Sequence, residues 1–500
     1  MNDINRRLQG LDADKRELLK LLLREERPLG RNRIADGDGG PPADAAVASG
    51  KPISAHDFIP VLARELAGER DRELLIYVHV PFCSYKCAFC DWVADIPGGQ
   101  LTGGPGLRER YVEAVCKQIR YLGPQLIDLG YVPKFIYWGG GTPTRLEADG
   151  HARIVDALRT SFDLTAVQEH TMEASPETLT PEKLQMLKSL GVMRLSMGVQ
   201  SFNPDELRRA GRGHSPEQAM AAVDMIRQAG IEQFNIDLIA ALPEQTLESL
   251  EYSLKTAAEL QPTHITVYIF RPTTTTAMAK QIHRGFRSAA DVDHVGRSYR
   301  LVKKTLEAAG YEEYTMGYFA RSREYRCRGE EYYFNLRGDW IGFGSGAVSI
   351  LGHHRLRNFH VNLHRYMDDP LLFESCRDLR DHKPECAMYA LRQAMLTEAG
   401  IRYDNFQRFF GHPFSEVRKD PPIQRMIDYY ESCGAEFRET DCSFFITPES
   451  RSRTYIAAWH GRQATVLDLD EADAAPGQAW SGRKLSSRAP ADRSDSAERP

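Results

Sequence analysis

Short apolar segments alternate with amphipathic segments between about residue 70 and residue 270. Strands that are buried on both faces read as nearly continuous apolar runs, whereas the helices that cover them carry apolar residues three or four positions apart. The predicted strands are Leu74–Val80, Phe135–Trp138, His170–Glu173, Met193–Met197, Phe234–Ile239 and Ile265–Phe270. The predicted helices between them include Leu107–Leu122, Pro181–Leu190, Pro216–Ala229 and Leu247–Leu260. Six such repeats indicate an α/β fold, a partial (β/α)6 barrel whose active site lies at the carboxyl ends of the strands.

The rest of the chain divides into further segments. Residues 1–50 hold a short amphipathic helix over Asp12–Arg27 and a linker rich in glycine and proline. We interpret this leader as a docking segment, either for the chain's own catalytic domain or for a partner. The catalytic domain is predicted over residues 51–375, and a small, mainly helical C-terminal domain over residues 376–465. Residues 466–500 are too poor in apolar side chains to form a core and are predicted to be a disordered tail.

Composition narrows the class of protein. The 64 basic and 69 acidic residues give a net charge of −5, which argues against a nucleic-acid-binding surface. No apolar run reaches the ~18 residues that a membrane-spanning helix needs, and the polar start does not resemble a signal peptide. We therefore expect a cytoplasmic protein without a membrane partner. Of the nine cysteines, three lie close together, and the others should remain thiols in a reducing compartment.

The three neighbouring cysteines are Cys83, Cys87 and Cys90, just after the first predicted strand. A 4Fe–4S cluster has four irons and is normally held by four thiolates. Three thiolates would leave one iron free to bind a small molecule. The alternative is a structural zinc site, which needs four protein ligands, and His79 or Asp91 could supply the fourth.

Other polar and glycine-rich positions follow the remaining strands. The turn Gly139–Pro143 lets a ligand approach the backbone closely, and Glu173, Gln200 and Asp237 also fall at strand ends. A free iron suits a chelating amine and carboxylate, such as the methionine end of S-adenosylmethionine. The turn lacks the lysine of a phosphate-binding loop and the spacing of a dinucleotide-binding motif.

Six motifs, in order along the chain, carry a resemblance to a known family. They are Tyr77–Cys83 with the cysteine triplet, Gly139–Pro143, Met172–Ala174, Arg194–Phe202, Asn235–Leu238 and Leu242–Thr246. Together they resemble the radical S-adenosylmethionine superfamily and, within it, the HemN-like branch. That branch contains oxygen-independent coproporphyrinogen III oxidases, haem chaperones, haem-degrading methyltransferases, and natural-product methylases and cyclopropanases.

The resemblance implies cofactors and a role for each matching residue. A 4Fe–4S cluster would be bound by Cys83, Cys87 and Cys90, and S-adenosylmethionine on its free iron by Tyr77, Gly140 and Glu173. A second S-adenosylmethionine would be lined by Phe89, Gly141, Thr142, Gln200, Arg212 and Asp237. The catalytic candidates are Tyr77, Glu173 and Arg271. The family implies reductive cleavage of the sulfonium to a 5′-deoxyadenosyl radical, with flavodoxin or ferredoxin as the electron donor.

Departures from the family pattern shape the functional expectation. Trp92 stands where coproporphyrinogen oxidases usually carry a further cysteine and where haem chaperones tend to have phenylalanine. Ala241 replaces a usual glycine, and Arg271 places a cation where the porphyrin oxidases tend to have a small residue. We therefore expect a methylase or cyclopropanase acting on an sp2 carbon of a secondary metabolite, a small-molecule substrate, with an assembly-line carrier protein as a candidate partner. A coproporphyrinogen III oxidase and a haem chaperone are the alternatives.

Overall fold

The computed structural model describes residues 50–68, 71–91, 106–272, 276–360, 362–381, 397–432 and 434–451. The predicted leader helix, its linker and the predicted tail lie outside the described residues, as does Trp92. The domain boundaries at residues 50, 375 and 465 stay predictions.

One sheet of 13 strands organises most of the described chain. Its strands are β1 (Ile53–Ser54), β2 (Arg72–Val80), β3 (Tyr131–Gly140), β4 (Glu169–Ala174), β5 (Arg194–Gln200), β6 (Gln233–Ala240), β7 (His264–Ile269), β8 (Glu312–Thr315), β9 (Tyr318–Ala320), β10 (Asp339–Phe343), β11 (Val348–Leu351), β12 (His354–Asn358) and β13 (Leu372–Asp378). Their order in the sheet is β1-β13-β12-β11-β10-β2-β3-β4-β5-β6-β7-β9-β8. The six predicted strands correspond to β2–β7 and pair in parallel in sequence order, which confirms the partial barrel.

The sequence analysis missed a seventh parallel strand, β10, which pairs with β2. This strand is hard to predict from its sequence because it is short and holds Gly342 within it. Antiparallel strands continue the sheet on both sides: β11, β12 and β13 beyond β10, and β9 and β8 beyond β7. Several of these strands carry charged residues along them, so their apolar pattern is too weak to predict.

The longer helices of the barrel cover the parallel strands. The helices along the described chain are α1 (Ala55–Glu65), α2 (Leu107–Asp128), α3 (Ala148–Ser161), α4 (Pro181–Ser189), α5 (Pro204–Ala210), α6 (Pro216–Gln228), α7 (Leu247–Glu259), α8 (Ala277–His283), α9 (Val292–Ala308), α10 (Arg328–Phe334), α11 (Leu363–Asp368), α12 (Tyr403–Phe410), α13 (Phe414–Val417) and α14 (Pro421–Ser432). Local sequence fixes where several begin, because α6 and α7 start at capping boxes built on Ser215 and Thr246.

The chain beyond residue 397 forms a smaller unit against the barrel. Helices α12–α14 surround a three-stranded sheet of β14 (Ile401–Arg402), β16 (Ser443–Ile446) and β15 (Phe437–Glu439). Its phenylalanines belong to one apolar cluster with Leu75 of β2 and Trp340 of β10, and Asn405 Nδ2 donates to Asn335 O at 2.9 Å. Shared burial therefore joins this unit to the barrel.

No helix of the described residues is long and apolar enough to cross a membrane. Because β2–β7 are parallel, their carboxyl ends meet at one edge of the barrel. The cysteine triplet follows β2, the glycine turn and Gln200 end β3 and β5, and Glu173 and Asp237 lie in the carboxyl-terminal halves of β4 and β6, so the fold gathers them toward this edge.

Candidate iron–sulfur and ligand site

The cysteine loop follows β2 directly, and its three thiols are half-buried and free of disulfides. The loop is held by backbone bonds, since Ala88 N donates to Ala210 O at 2.8 Å and Cys90 N donates to Cys87 O at 3.3 Å. Burial, assisted by the two other cysteines and opposed by a hydrogen bond from Thr142, raises the pKa of the Cys83 thiol to about 11. A bound cation would reverse this cost, because it stabilises thiolates.

The distances between the three cysteine sulfurs distinguish a zinc site from a 4Fe–4S cluster. Among the described residues, three or more ligand atoms within 4.8 Å of one another occur only in Glu65, His354 and Asp378. At least two sulfurs of the triplet therefore lie farther apart than that. A tetrahedral zinc with Zn–S bonds of about 2.3 Å would hold its ligands within roughly 4 Å of one another, so the triplet fits the larger iron–sulfur cluster better.

The His79 ring takes part in a hydrogen bond with Tyr77. His79 Nδ1 lies 3.0 Å from the hydroxyl of Tyr77, and burial lowers the pKa of His79 to about 4, so the ring is neutral. Tyr77 itself lies 6.3 Å from Tyr137, measured between ring centroids, with the two rings stacked. The pair therefore supports the strand end beneath the cysteine loop.

The glycine turn has no room for side chains. At Gly140, with φ of +107°, a Cβ would lie 2.5 Å from the ring of His79. At Gly141 it would lie 2.8 Å from the carbonyl oxygens of Val80 and Phe82. Both positions demand glycine, because the left-handed backbone and the close approach each exclude a Cβ. The turn thereby lies directly against the start of the cysteine loop.

Two half-buried carboxyl groups line the same cavity. Burial, then the nearby carboxyl of Asp237, raises the pKa of Glu173 to about 8, although Tyr137 donates to Glu173 Oε1 at 3.1 Å. Burial also raises the pKa of Asp237 to about 6, against donors from Asn235 at 2.6 Å and Ser196 at 3.3 Å. A cationic ligand would stabilise both carboxylates, which suits the sulfonium and ammonium groups of S-adenosylmethionine.

Arg212 lies between the carboxyls and the cysteine loop. Its Nη1 donates to Cys87 Sγ at 3.3 Å, and its Nη2 donates to Ser175 Oγ at 3.0 Å and to the carbonyl of Gly198. The Nε atom is buried without a hydrogen-bond partner among the described residues. Arg212 also lines the cavity, so its guanidinium lies beside the space that a ligand would occupy. Gln200, with φ of +76°, is also held in a strained backbone conformation beside this group.

One cavity of about 380 Å³ unites most of the predicted site. Ten of the thirteen predicted residues line it: Phe89, Cys90, Gly140, Gly141, Thr142, Glu173, Gln200, Arg212, Asp237 and Arg271. Tyr77, Cys83 and Cys87 are not among its lining residues. The sequence analysis missed several lining residues, among them Asp91, Ser175, Ser196, Gly198, Ile239 and Tyr268. Alternation could have found some, because Ser196 and Gly198 share a strand face with Gln200, and Ile239 shares one with Asp237.

Comparisons with known proteins agree with this geometry. A sequence profile described as the radical SAM superfamily matches residues 77–257. The heme chaperone HemW of Bacillus subtilis is 29% identical over 372 residues, covering 71% of this chain and 93% of that protein. The heme chaperone HemW of Escherichia coli is 31% identical over 280 residues, covering 55% of this chain and 69% of that protein. The solved coproporphyrinogen III oxidase HemN of Escherichia coli has the same fold, with a TM-score of 0.64, 23% identity and coverage of 81% and 92%.

These relatives correct the expected activity. The prediction of a natural-product methylase or cyclopropanase is wrong, because the similar proteins are named as haem chaperones and a coproporphyrinogen oxidase. The departures that suggested it, such as Arg271 and Ala241, change single positions around the cavity and leave the fold and the cysteine loop of the branch unaltered. The chain belongs to the HemN-like branch of the radical SAM superfamily, whose cofactors, a 4Fe–4S cluster and S-adenosylmethionine, it uses.

Proposed function

We propose that this chain is a radical SAM protein that binds a tetrapyrrole, with haem chaperoning as its function. The main support is the match to the Bacillus subtilis haem chaperone over 93% of that protein's length. Trp92 in place of the oxidases' further cysteine favours the chaperone over the coproporphyrinogen oxidase. Haem would then be the small-molecule partner of the chain.

The mouth of the cavity supplies groups that suit such a ligand. Tyr268 lines the cavity with a side chain that is 45% exposed, and its hydroxyl lies 3.4 Å from that of Tyr318. Arg271 also lines the cavity, and Phe270 is buried in an apolar cluster with Met278. The ring of Tyr268 can pack on the flat face of a tetrapyrrole, and a guanidinium can pair with a propionate carboxylate.

Different site residues would hold each of the cofactors. Cys83, Cys87 and Cys90 would hold the cluster, which when bound supplies one electron for reductive cleavage of a sulfonium. The backbone at Gly140 would let S-adenosylmethionine approach closely, and Glu173 would accept a hydrogen bond from its ammonium or ribose. The side chains Phe89, Gln200, Arg212 and Asp237, with Gly141 and Thr142, would line a second molecule. Closely packed lining side chains would exclude water from these contacts.

Haem titration of the anaerobically reconstituted protein tests the proposal. We expect one haem per chain, followed by its Soret absorbance, and affinity at least roughly tenfold lower in Arg271→Ala, because a charge-assisted bond contributes about 1.5–3 kcal/mol. Arg323→Ala, an exposed arginine at the opposite end of the barrel, should leave the affinity unchanged.

The same preparation separates chaperone from oxidase. Release of carbon dioxide and 5′-deoxyadenosine from coproporphyrinogen III would assign an oxidase instead and contradict the chaperone proposal. Absence of stoichiometric haem binding would contradict it as well.

A further inference from the structure

Helices α5 and α8 contact the outer side of the cysteine loop. Ala88, which lies between two of the cysteines, accepts from Met278 N at 2.8 Å, while its own N–H donates to Ala210 O at the end of α5. Met278 of α8 is buried in a small apolar cluster against which Ala88, Phe89 and Ile282 pack. The surface that α8 presents to solvent is therefore one thin layer away from the loop that would hold the cluster.

This surface is strongly basic in a chain whose net charge is −5. Residues 277–287 carry Lys280, Arg284 and Arg287 and no carboxylate. Lys280 and Arg284 are exposed and form no ion pair with any residue in the described part of the chain. An excess of unpaired positive charge on one face attracts an acidic partner and speeds its encounter.

The adjoining charges are partly balanced. Glu244 lies 3.6 Å from Arg209 and 3.8 Å from Arg287, measured between side-chain nitrogen and oxygen. Arg208 pairs with Asp205 at 2.9 Å. These two carboxylates offset part of the charge of α5, so the excess is concentrated on α8 and the residues that follow it.

An aromatic side chain stands in the middle of this basic segment. Phe286 is 74% exposed, the highest value for a large apolar side chain among the described residues. Its N–H donates to Gln281 O at 2.9 Å, which holds the residue against the end of α8. It borders a surface depression of about 370 Å³ together with Arg209, Glu244 and Arg287. Aromatic and arginine side chains are the residues enriched at the energetic centres of interfaces.

We propose that Lys280, Arg284, Phe286 and Arg287, here called the donor surface, dock an acidic ferredoxin that reduces the cluster. One electron leaves the iron–sulfur centre of the ferredoxin and enters the cluster, with no bond formed or broken. The inference rests on the cluster assignment within the proposed function. A seven-residue helix spans about 10 Å, so a partner seated on the donor surface lies close to the cysteine loop.

Size and position favour a redox protein over other acidic partners. Interfaces of electron-transfer proteins are small, below about 1,200 Å², and three clustered basic side chains around one aromatic residue suit that scale. An acidic membrane or a nucleic acid would be attracted by the same charge, but neither has a reason to seat beside the cysteine loop. Binding to those surfaces is therefore an outcome of the test.

Titration with oxidised acidic ferredoxin tests the docking itself. Lys280→Glu/Arg284→Glu and Phe286→Ser should each weaken binding about tenfold or more, measured by calorimetry, and the affinity of the native chain should fall as salt is raised. The matched controls Arg323→Glu/Arg328→Glu, at the opposite end of the barrel, and Tyr252→Ser, another exposed aromatic residue, should leave binding unchanged. Equal losses in controls and test variants, or saturable binding only to acidic vesicles or DNA, would overturn the proposal.

A kinetic readout separates this inference from the proposed function. In stopped-flow mixing, reduced ferredoxin should bleach the cluster absorbance at least about tenfold more slowly in the charge-reversed variant. Photoreduced deazaflavin, which needs no docking surface, should bleach both proteins equally. Slowed reduction by deazaflavin would show damage to the cysteine loop and overturn the docking interpretation. Failure to bind ferredoxin with normal haem binding would remove this inference alone.

Discussion

Replacing Glu173 with glutamine tests whether ionisation of the Glu173 carboxyl destabilises the cofactor-free protein. Burial raises the pKa of this carboxyl from 4.5 to about 8. Between those values the folded chain keeps a proton that the unfolded chain has lost, so the free energy of unfolding decreases as the pH rises. Glutamine cannot ionise and keeps an oxygen that can accept from Tyr137, so the variant escapes this loss.

The expected change in the free energy of unfolding follows from the pKa shift of Glu173. Each pH unit within the window changes the free energy of unfolding by about 1.4 kcal/mol. From pH 6 to pH 7.5 the variant should therefore gain about 2 kcal/mol relative to the native chain. Asp237 titrates nearby in both proteins, so most of its own contribution cancels in the difference.

Urea unfolding of the cofactor-free protein, followed by circular dichroism at the two pH values, measures this difference. Glu416→Gln, an exposed carboxyl on α13 outside the cavity, serves as the control and should show no pH-dependent gain. A difference between the Glu173 variant and the native chain that stays constant with pH would refute the assignment of a protonated Glu173 carboxyl to the cofactor-free protein.

Three further substitutions probe other parts of the site. Cys87→Ala should abolish the brown absorbance and the bound iron of the reconstituted protein, whereas Cys442→Ala, at an exposed thiol, should change neither; retained colour in the first would contradict the ligand assignment. Gly140→Ala should lower the free energy of unfolding in urea well beyond the backbone strain of about 1–2 kcal/mol, because its Cβ meets a histidine ring at 2.5 Å. Gly310→Ala, with φ of +84° and open space, should cost only the strain, and equal losses would argue against the clash. Arg212→Lys should leave iron content unchanged but weaken S-adenosylmethionine binding roughly tenfold by calorimetry; an unchanged affinity would remove it from the ligand site.

Much of the site was predictable because parallel strands place their carboxyl ends at the same edge of the sheet. Once β2–β7 are taken as parallel, residues in or just after their carboxyl-terminal halves, such as Cys83, Glu173 and Asp237, must lie toward one edge. The glycine turn was predictable for the same reason, and the clash that a Cβ would create at Gly140 explains its composition. The expected methylase activity was wrong, since single departures such as Arg271 do not reveal which ligand shares their cavity.

Contacts between distant segments were not predictable. Arg212 was expected to hold a ligand carboxylate, yet in the structure it donates to Cys87, 125 residues away. Arg212 remains a proposed ligand residue because it lines the cavity. The antiparallel strands beyond β10 and β7 were also missed, because short strands with charged residues are stabilised by pairing with neighbours rather than by their own pattern.

The sequence by itself determined the parallel barrel, the cysteine loop and the edge at which the site lies, since hydrophobic period and motif order are local properties that survive without coordinates. Tertiary structure alone decided which side chains share one cavity, why the Glu173 carboxyl resists ionisation and which basic surface covers the cysteine loop. Burial and electrostatic coupling act through space between residues that are far apart in the chain, so no window of sequence contains them.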